Sequence, residues 1–405
     1  MTPPRREAGP TNRPVFVLTL AMLTALSATT VDISLPAQPM IAESFGARPE
    51  AGGIIVSAYF LGYGPGQIVW GPLADRFGRI GPLMAGLVGF VIATLACLIA
   101  DSLETLAAFR LVQGVFGGCA PVIARAIARD QGGGQRTARL LAAIAIIFGA
   151  APLLAPLLGS AILLFADWTA QFWFLALLGV FLIGAAQAFV RPAAAKRQIN
   201  TFSAGRFLST VTGLFRQREF LIGCGAISTV MFGYASLLSA GAAMASAQYG
   251  ISPKGFGPLF AIAASAVIFG AWFGSRLLRT RAPIAVLRVG ALICALAAIT
   301  LIVFAWMVVP LSVLWIAIFA YVFGFGMILP MANAIALEPA GGAAGVASSL
   351  LGALSTSAGA VSAGLAASPV FASGYQAICL IMAGAGLCCF AVVATGANAI
   401  NRESL

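Results

Sequence analysis

Twelve apolar runs, each near the roughly 20 residues that an α-helix needs to cross a bilayer core, govern what this chain can fold into. The first covers 15–31, and five more follow at about 52–70, 80–100, 104–124, 140–164 and 170–190. A second six lie at about 220–246, 256–275, 284–305, 310–333, 346–371 and 375–397. With 60% hydrophobic and 9% charged residues, the remainder is too short for a soluble domain. Arg5, Arg6 and Arg13 ahead of the first run would suit a secretory signal. That run is long, however, no small-residue cleavage site stands out, and many spans follow, so it reads as a first membrane helix. The expected fold class is an all-α membrane protein with twelve transmembrane helices.

One polar, basic stretch interrupts the series. Residues 191–219 carry Lys196, Arg197, Arg206, Arg216 and Arg218. They divide the chain into an N-terminal six-helix bundle (1–190), a cytoplasmic central loop (191–219) and a C-terminal six-helix bundle (220–405). Six plus six is the arrangement of two related halves. With both termini inside, all but Arg48, Arg110 and Lys254 of the 23 Lys and Arg residues fall in or beside cytoplasmic segments. Glu43, Glu50, Asp101, Glu104 and Asp167 then lie in outer loops. The opposite orientation would reverse this bias and is rejected. The net charge of +11 is thus a matter of topology and does not point to nucleic acid.

Chemistry is bounded by what the chain lacks. It has no histidine, which removes haem ligation by imidazole, HExxH zinc chemistry, Ser-His-Asp catalysis and proton relay through imidazole. Cys97, Cys119, Cys224, Cys294, Cys379, Cys388 and Cys389 fall almost wholly inside apolar runs without metal-ligand spacing, so they read as packing residues and no metal site is expected.

Between the second and third runs stands Gly71-Pro72-Leu73-Ala74-Asp75-Arg76-Phe77-Gly78-Arg79, which reads as a compact charged loop. Arg can pair bidentately with Asp and can also cap C-terminal carbonyls of a helix, and the glycines allow close approach of helix ends. A solvated basic turn would need no more than its charge. The nine-residue pattern, however, resembles the signature G-x-L-a-D-r-x-G-r of the major facilitator superfamily, and departs from it at Ile80. The resemblance implies a cytoplasmic latch formed by Gly71, Asp75, Arg76, Gly78 and Arg79.

Two ionisable residues interrupt apolar runs, Asp32 and Arg110. Asp32 lies 19 residues past Arg13, about 28 Å along a helix, and Arg110 about 10 Å below the outer surface, depths at which they can meet. Unpaired, either charge is costly in hydrocarbon, so each should face the interior and find a partner or water. Asp32 reads either as an interfacial carboxylate at a helix end or as a protonation site. Burial disfavours a charged carboxylate and a nearby guanidinium favours it, so a change of conformation can switch the proton. Arg110 reads as a structural counter-ion, as a coupling group, or as both. In the fifth run, Gly149, Pro152, Pro156 and Gly159 remove two backbone donors and admit a close neighbour, which suggests a built-in bend.

These features sit among longer stretches: Asp32-Ile33-Ser34-Leu35-Pro36-Ala37-Gln38-Pro39, Arg110-Leu111-Val112-Gln113-Gly114 and Ala124-Arg125-Ala126-Ile127-Ala128-Arg129-Asp130. With Trp168 and the segment Phe172-Trp173-Phe174-Leu175, and with Gly324-Phe325-Gly326 and Pro330-Met331-Ala332-Asn333, they resemble the Bcr/CflA subgroup of drug/proton antiporters over nearly the whole chain. The resemblance implies the major facilitator fold in a bacterial inner membrane, alternating access, and proton coupling through Asp32 and Arg110. It places helices 1, 4, 7 and 10 around a cavity. Asp32, Gln38, Gln113, Tyr234, Tyr321 and Asn333, with Phe325, are then candidate substrate contacts, and Tyr59, Tyr63 and Gln67 could contribute. Such a cavity would suit amphipathic or weakly polar compounds. The expected partners are a small-molecule substrate, protons and the lipid bilayer, with the proton gradient in place of a cofactor and a monomer as the default. A nutrient symporter or facilitator is the alternative on the same fold. A membrane-embedded enzyme would need a nucleophile–base constellation that the chain does not offer.

Overall fold

The computed structural model describes residues 14–131, 134–194 and 204–403, and these are helices joined by short links, with no strand among them. Only helices satisfy every backbone group within a single lipid-exposed segment. In chain order the spans are α1 (Pro14–Ser44), α2 (Ile54–Arg76), α3 (Ile80–Ile99), α4 (Leu103–Arg129), α5 (Gly134–Ile162) and α6 (Thr169–Val190). The second six are α7 (Arg218–Tyr249), α8 (Pro253–Leu277), α9 (Pro283–Phe304), α10 (Leu311–Leu337), α11 (Ala344–Ala367) and α12 (Gly374–Glu403). Eleven of these are long and apolar enough by themselves to cross a membrane. The other, α2, is 23 residues or about 34 Å long but carries several glycines, Tyr59, Tyr63 and Gln67. Its polarity is affordable because, apart from Asp75 and Arg76 at its end, its exposed face is a narrow stripe of Ile54, Leu61, Pro65 and Val69.

The helix boundaries correct several sequence expectations. α2 does not stop at Trp70. It runs on to Arg76, so Gly71, Asp75 and Arg76 belong to its last turns, and the true turn is the short link around Gly78, whose φ of 82° suits glycine. The basic stretch after α6 is also largely helical where described. A π turn at Ala186–Val190 leads into Arg191–Ala194, and a further helix covers Ala204–Leu214. Lys196 and Arg197, like Arg5, Arg6 and Arg13, lie outside the described residues. α5 is continuous through Pro152 and Pro156.

Alternation of the spans gathers Arg76, Arg79, Arg129, Arg218, Arg276, Arg279 and Arg281 at one end of the bundle, here called the basic end. Glu43, Glu50, Asp101, Glu104 and Asp167 lie at the other, the Asp32 end. Packing differs between the two. One apolar core, including Phe16, Leu20, Leu83, Phe90, Ile123 and Val190, is built solely from the first six helices. A second is built mainly from the last six but takes in Val31, Leu35, Ile41, Ile55, Tyr59, Leu103 and Phe172 from the first half. These N-terminal members all sit toward the Asp32 end, so the halves share one core there.

Hydrogen bonds tell the same story. Among the described residues, those joining the halves run from Gln38 Nε2 to Leu238 O (2.8 Å), Ser57 Oγ to Ala360 O (2.7 Å), Gln67 Nε2 to Thr356 Oγ1 (3.4 Å), Ser160 Oγ to Pro253 O (3.1 Å) and Gly257 N to Ser160 Oγ (2.9 Å). All lie between the Asp32 end and mid-depth. The structure is therefore sealed at the Asp32 end.

Candidate functional site

The seal is centred on a break in α1. Its first part, Pro14–Asp32, ends at the acidic residue itself, a 3₁₀ turn follows at Leu35–Ala37, and helix resumes at Gln38–Ser44. Pro36 and Pro39 cannot donate to the turn before them, which breaks the α-helical ladder. Ser34 compensates locally: its N–H and its hydroxyl both donate to Val31 O, at 3.2 and 2.8 Å. Asp32 is thus held at a discontinuity, 5% exposed.

Neighbouring helices clasp this break. α5 lies against Ile33 so closely that a Cβ added at Gly159 would fall 2.1 Å from the Ile33 carbonyl oxygen. The Gly159 carbonyl accepts from Gln171 Nε2 on α6 at 3.1 Å. Gln38, just past the break, donates to Leu238 O on α7. Arg110 on α4 donates to Thr30 O from both terminal nitrogens at 3.4–3.5 Å, to Ile55 O at 3.3 Å, and to Gln113 Oε1 at 2.7 Å. Gln113 Nε2 in turn donates to Thr94 Oγ1 at 2.7 Å. The guanidinium also lies 4.8 Å from the Tyr59 ring centre and 5.8 Å from that of Phe172, a cation–π arrangement.

The expected Asp32–Arg110 pair is not formed. Among the described residues, no ion pair or hydrogen bond engages the Asp32 carboxylate, and the ion pairs lie elsewhere. The fully buried Arg110 is satisfied by carbonyls and rings. The reason is directional: Arg110 reaches the carbonyl of Thr30, two residues short of Asp32, and the Asp32 carboxylate lies within electrostatic range of Tyr234 on α7. Tyr234 stacks on Phe325 of α10, with ring centres 5.1 Å apart. Asp32, Tyr234 and Phe325 therefore form one cluster at the seam between the halves.

The other candidate contacts separate from that cluster. Gln113 is consumed by the Arg110–Thr94 network, and Gln38 and Gln67 bridge the halves. Tyr321 is fully buried, donates to Val230 O at 3.3 Å and packs against Gly233, so it fastens α10 to α7. Asn333 donates to Leu329 O of its own helix. Of the fifth-helix residues, Gly159 and Pro156 face α1 and α8, whereas a Cβ at Gly149 would meet nothing within 4 Å.

At the basic end, Arg79 bridges Asp75 of α2 at 2.7 Å and Asp130, just past α4, at 3.1 Å. Gly71 approaches Ser349 of α11, and Arg129 reaches the start of α11 near Gly345. Arg76 instead lies over the Phe77 ring at 5.2 Å. Sequence reading missed Asp130 as a partner. It also placed Arg125 in a cytoplasmic segment, and counted Arg110 as the one evident interior cation. Arg125 is a half-buried residue of α4, within electrostatic range of Tyr63. The signal was present, since Ala124-Arg125-Ala126-Ile127-Ala128 contains good helix formers and nothing that ends the run.

A family model described as Major Facilitator Superfamily matches residues 20–364. Over 360 residues the chain is 30% identical to the multidrug resistance protein D of Escherichia coli, covering 87% of this chain and 88% of that one. It is 29% identical to a bicyclomycin resistance protein homologue of Haemophilus influenzae, covering 87% and 89%. The crystal structure of the human organic anion transporter MFSD10 (TETRAN) superposes with a TM-score of 0.70 at 20% identity, covering 95% of this chain and 100% of that one, a likeness of fold.

Proposed function

Because the chain belongs to the major facilitator superfamily, we propose that it exports small drug-like or metabolite molecules in exchange for protons, as a Bcr/CflA-type multidrug/proton antiporter. It is a multi-pass membrane transporter. In this reading it sits in a bacterial inner membrane as a monomer, with the basic end and both termini in the cytoplasm, as the positive-inside rule favours. The relatives named for bicyclomycin and multidrug resistance support a drug-like substrate class.

The observation that carries the reading is the uncompensated Asp32 carboxylate at the break in α1, buried where the two halves meet. A carboxylate in this position is tolerated dry when protonated and needs water or a cation when ionised. When the halves rock apart at the Asp32 end, water reaches it and the proton can exchange. Arg110 holds Thr30, two residues earlier, so the position of α1 and the state of Asp32 are linked through α4. Substrate enters from the basic end, occupies the space bounded by Tyr234 and Phe325, and competes with the proton. The latch of Asp75, Arg79 and Asp130 supports the opposite end of the same cycle.

The test is substrate-driven proton flux in liposomes that hold a pH dye, with chloramphenicol-like, bicyclic and sulfonamide compounds. Flux is expected in the wild type and none in Asp32→Asn. Equal flux in both would move the coupling site elsewhere. Substrate equilibration without proton movement would replace the antiporter with a facilitator.

A further inference from the structure

We propose that α5 and α8 frame a slot open sideways to the bilayer at the basic end, through which amphiphilic compounds dissolved in that leaflet reach the space between the halves. This rests on the export reading and names the source of its substrate. The two seams that join the halves differ. Along α2 and α11 the contact runs nearly from end to end. Ser57 Oγ donates to Ala360 O, a Cβ on Gly64 would fall 2.7 Å from Ser357 Oγ, and one on Gly352 would fall 2.7 Å from Gln67 Oε1. Closer to the basic end, a Cβ on Gly71 would still lie 3.9 Å from Ser349 Oγ, and one on Gly345 would lie 3.6 Å from Arg129 Nη2. From Ser57 to Gly71 this seam covers about 21 Å of helix.

The seam of α5 and α8 closes only over its Asp32 half. Ser160 Oγ donates to Pro253 O and accepts from Gly257 N, and a Cβ on Gly257 would fall 2.3 Å from Pro156 O. Steps of three and four residues carry the face of Ser160 and Pro156 past Gly149 to Ile146 and Ala142. A Cβ on Gly149 would meet nothing within 4 Å, and beyond it Ile146 is 74% exposed and Ala142 is exposed. On α8 the face of Gly257 continues through Ala261, Ala264 and Ile268. The two alanines are buried, whereas Ile268 is 41% exposed. Ile146 lies about 24 Å from the Asp32 end of α5 and Gly71 about 26 Å from that of α2, so the seams differ at one depth. Ile268 stands about 14 Å inside the basic end of α8, within reach of acyl chains. The slot walls, Ala142 and Ile146 facing Ile268, carry no polar side chain. Such walls are poorly wetted and favour an acyl chain or an apolar solute over water.

The experiment uses the full-length protein in phosphatidylethanolamine–phosphatidylglycerol liposomes, with Cys388→Ser as background because Cys388 is the exposed cysteine. Ile146→Cys and Ile268→Cys are treated with N-(1-pyrenyl)maleimide, which dissolves in the bilayer, and with a membrane-impermeant sulfonated maleimide on both sides. Both thiols should take pyrene and neither the sulfonated reagent. The doubly labelled protein should show pyrene excimer emission, since the two walls face each other. Labelling follows folding, so one preparation is assayed before and after it. Substrate-driven proton flux should fall at least about fivefold once Ile146→Cys carries pyrene. It should be unchanged by the same label on Leu154→Cys, exposed on another face of α5. Ile268→Cys gives the same reading should Ile146→Cys lose activity before labelling. Reaction of either thiol with the sulfonated reagent would make the cleft aqueous and overturn the proposal. Absent excimer emission, or flux unchanged by pyrene in the slot, would overturn it too. If the unlabelled protein moves no compound, the export reading fails, and reagent access with excimer emission still decides whether the slot opens to the bilayer.

Discussion

Arg110 shows how a buried charge is satisfied without a counter-ion. Three carbonyl oxygens or amide oxygens and two aromatic faces surround it, so its value lies in the planar fork of donors rather than in its charge alone. Arg110→Ala would leave Gln113 Oε1 and the Thr30 carbonyl without donors, each orphaned group costing about 1–3 kcal/mol, while the Ile55 carbonyl would keep only its helical donor. The apparent melting temperature of the detergent-solubilised protein should fall by several degrees, and Arg110→Lys should recover part of the loss because one ammonium cannot reach all three acceptors. A melting temperature equal to wild type in Arg110→Ala would show that the network carries no stability. Both Asp32 and Arg110 were legible in the sequence as charges inside apolar runs. Their pairing was not, because helical rise gives depth and says nothing about the rotation of one helix relative to another.

Among elements, the break in α1 and the continuity of α5 work as a pair. Two prolines stop α1 at Asp32, and a small residue on α5 lets the next helix close over the break. Gly159→Val should be disruptive although valine is tolerated in membrane helices, since even its Cβ would fall 2.1 Å from Ile33 O and backbone must move. The expected result is loss of transport at near-normal expression, while Gly149→Val, in open space, transports as the wild type does. Equal activity of the two variants would mean that α5 does not rest on Ile33. The prolines of α1 were visible as breakers, whereas nothing in the chain distinguished Gly159 from Gly149 until the partner helix was in place.

For the whole molecule, the shared core and the bridging hydrogen bonds close this conformation where Asp32 lies, which in the proposed cycle is one of its two extremes. Ser57 and Gly364 face each other across that closure, with 3.8 Å from the Ser57 Cβ and 3.0 Å from its Oγ to the position of a Cβ on Gly364. Those separations match a disulfide. Ser57→Cys combined with Gly364→Cys should cross-link on mild oxidation, stop transport, and regain it on reduction, while either single variant remains active under oxidant. Undiminished transport by the cross-linked protein would show that α2 and α11 need not part at this end.

The sequence by itself determined the class of protein, the number of its spans and the few charges they had to accommodate. Hydropathy, helix length and the placement of arginine are local properties, and a bilayer reads them locally. It also marked Asp32 as the residue to explain. Only the tertiary structure decided that carbonyls and aromatic rings, and not Asp32, meet Arg110, and that Gln38, Gln67 and Gln113 hydrogen-bond across helices. Each of these depends on how one helix is rotated against the next, which close-packed small residues and interlocking carbonyls set, and no single segment encodes that angle alone.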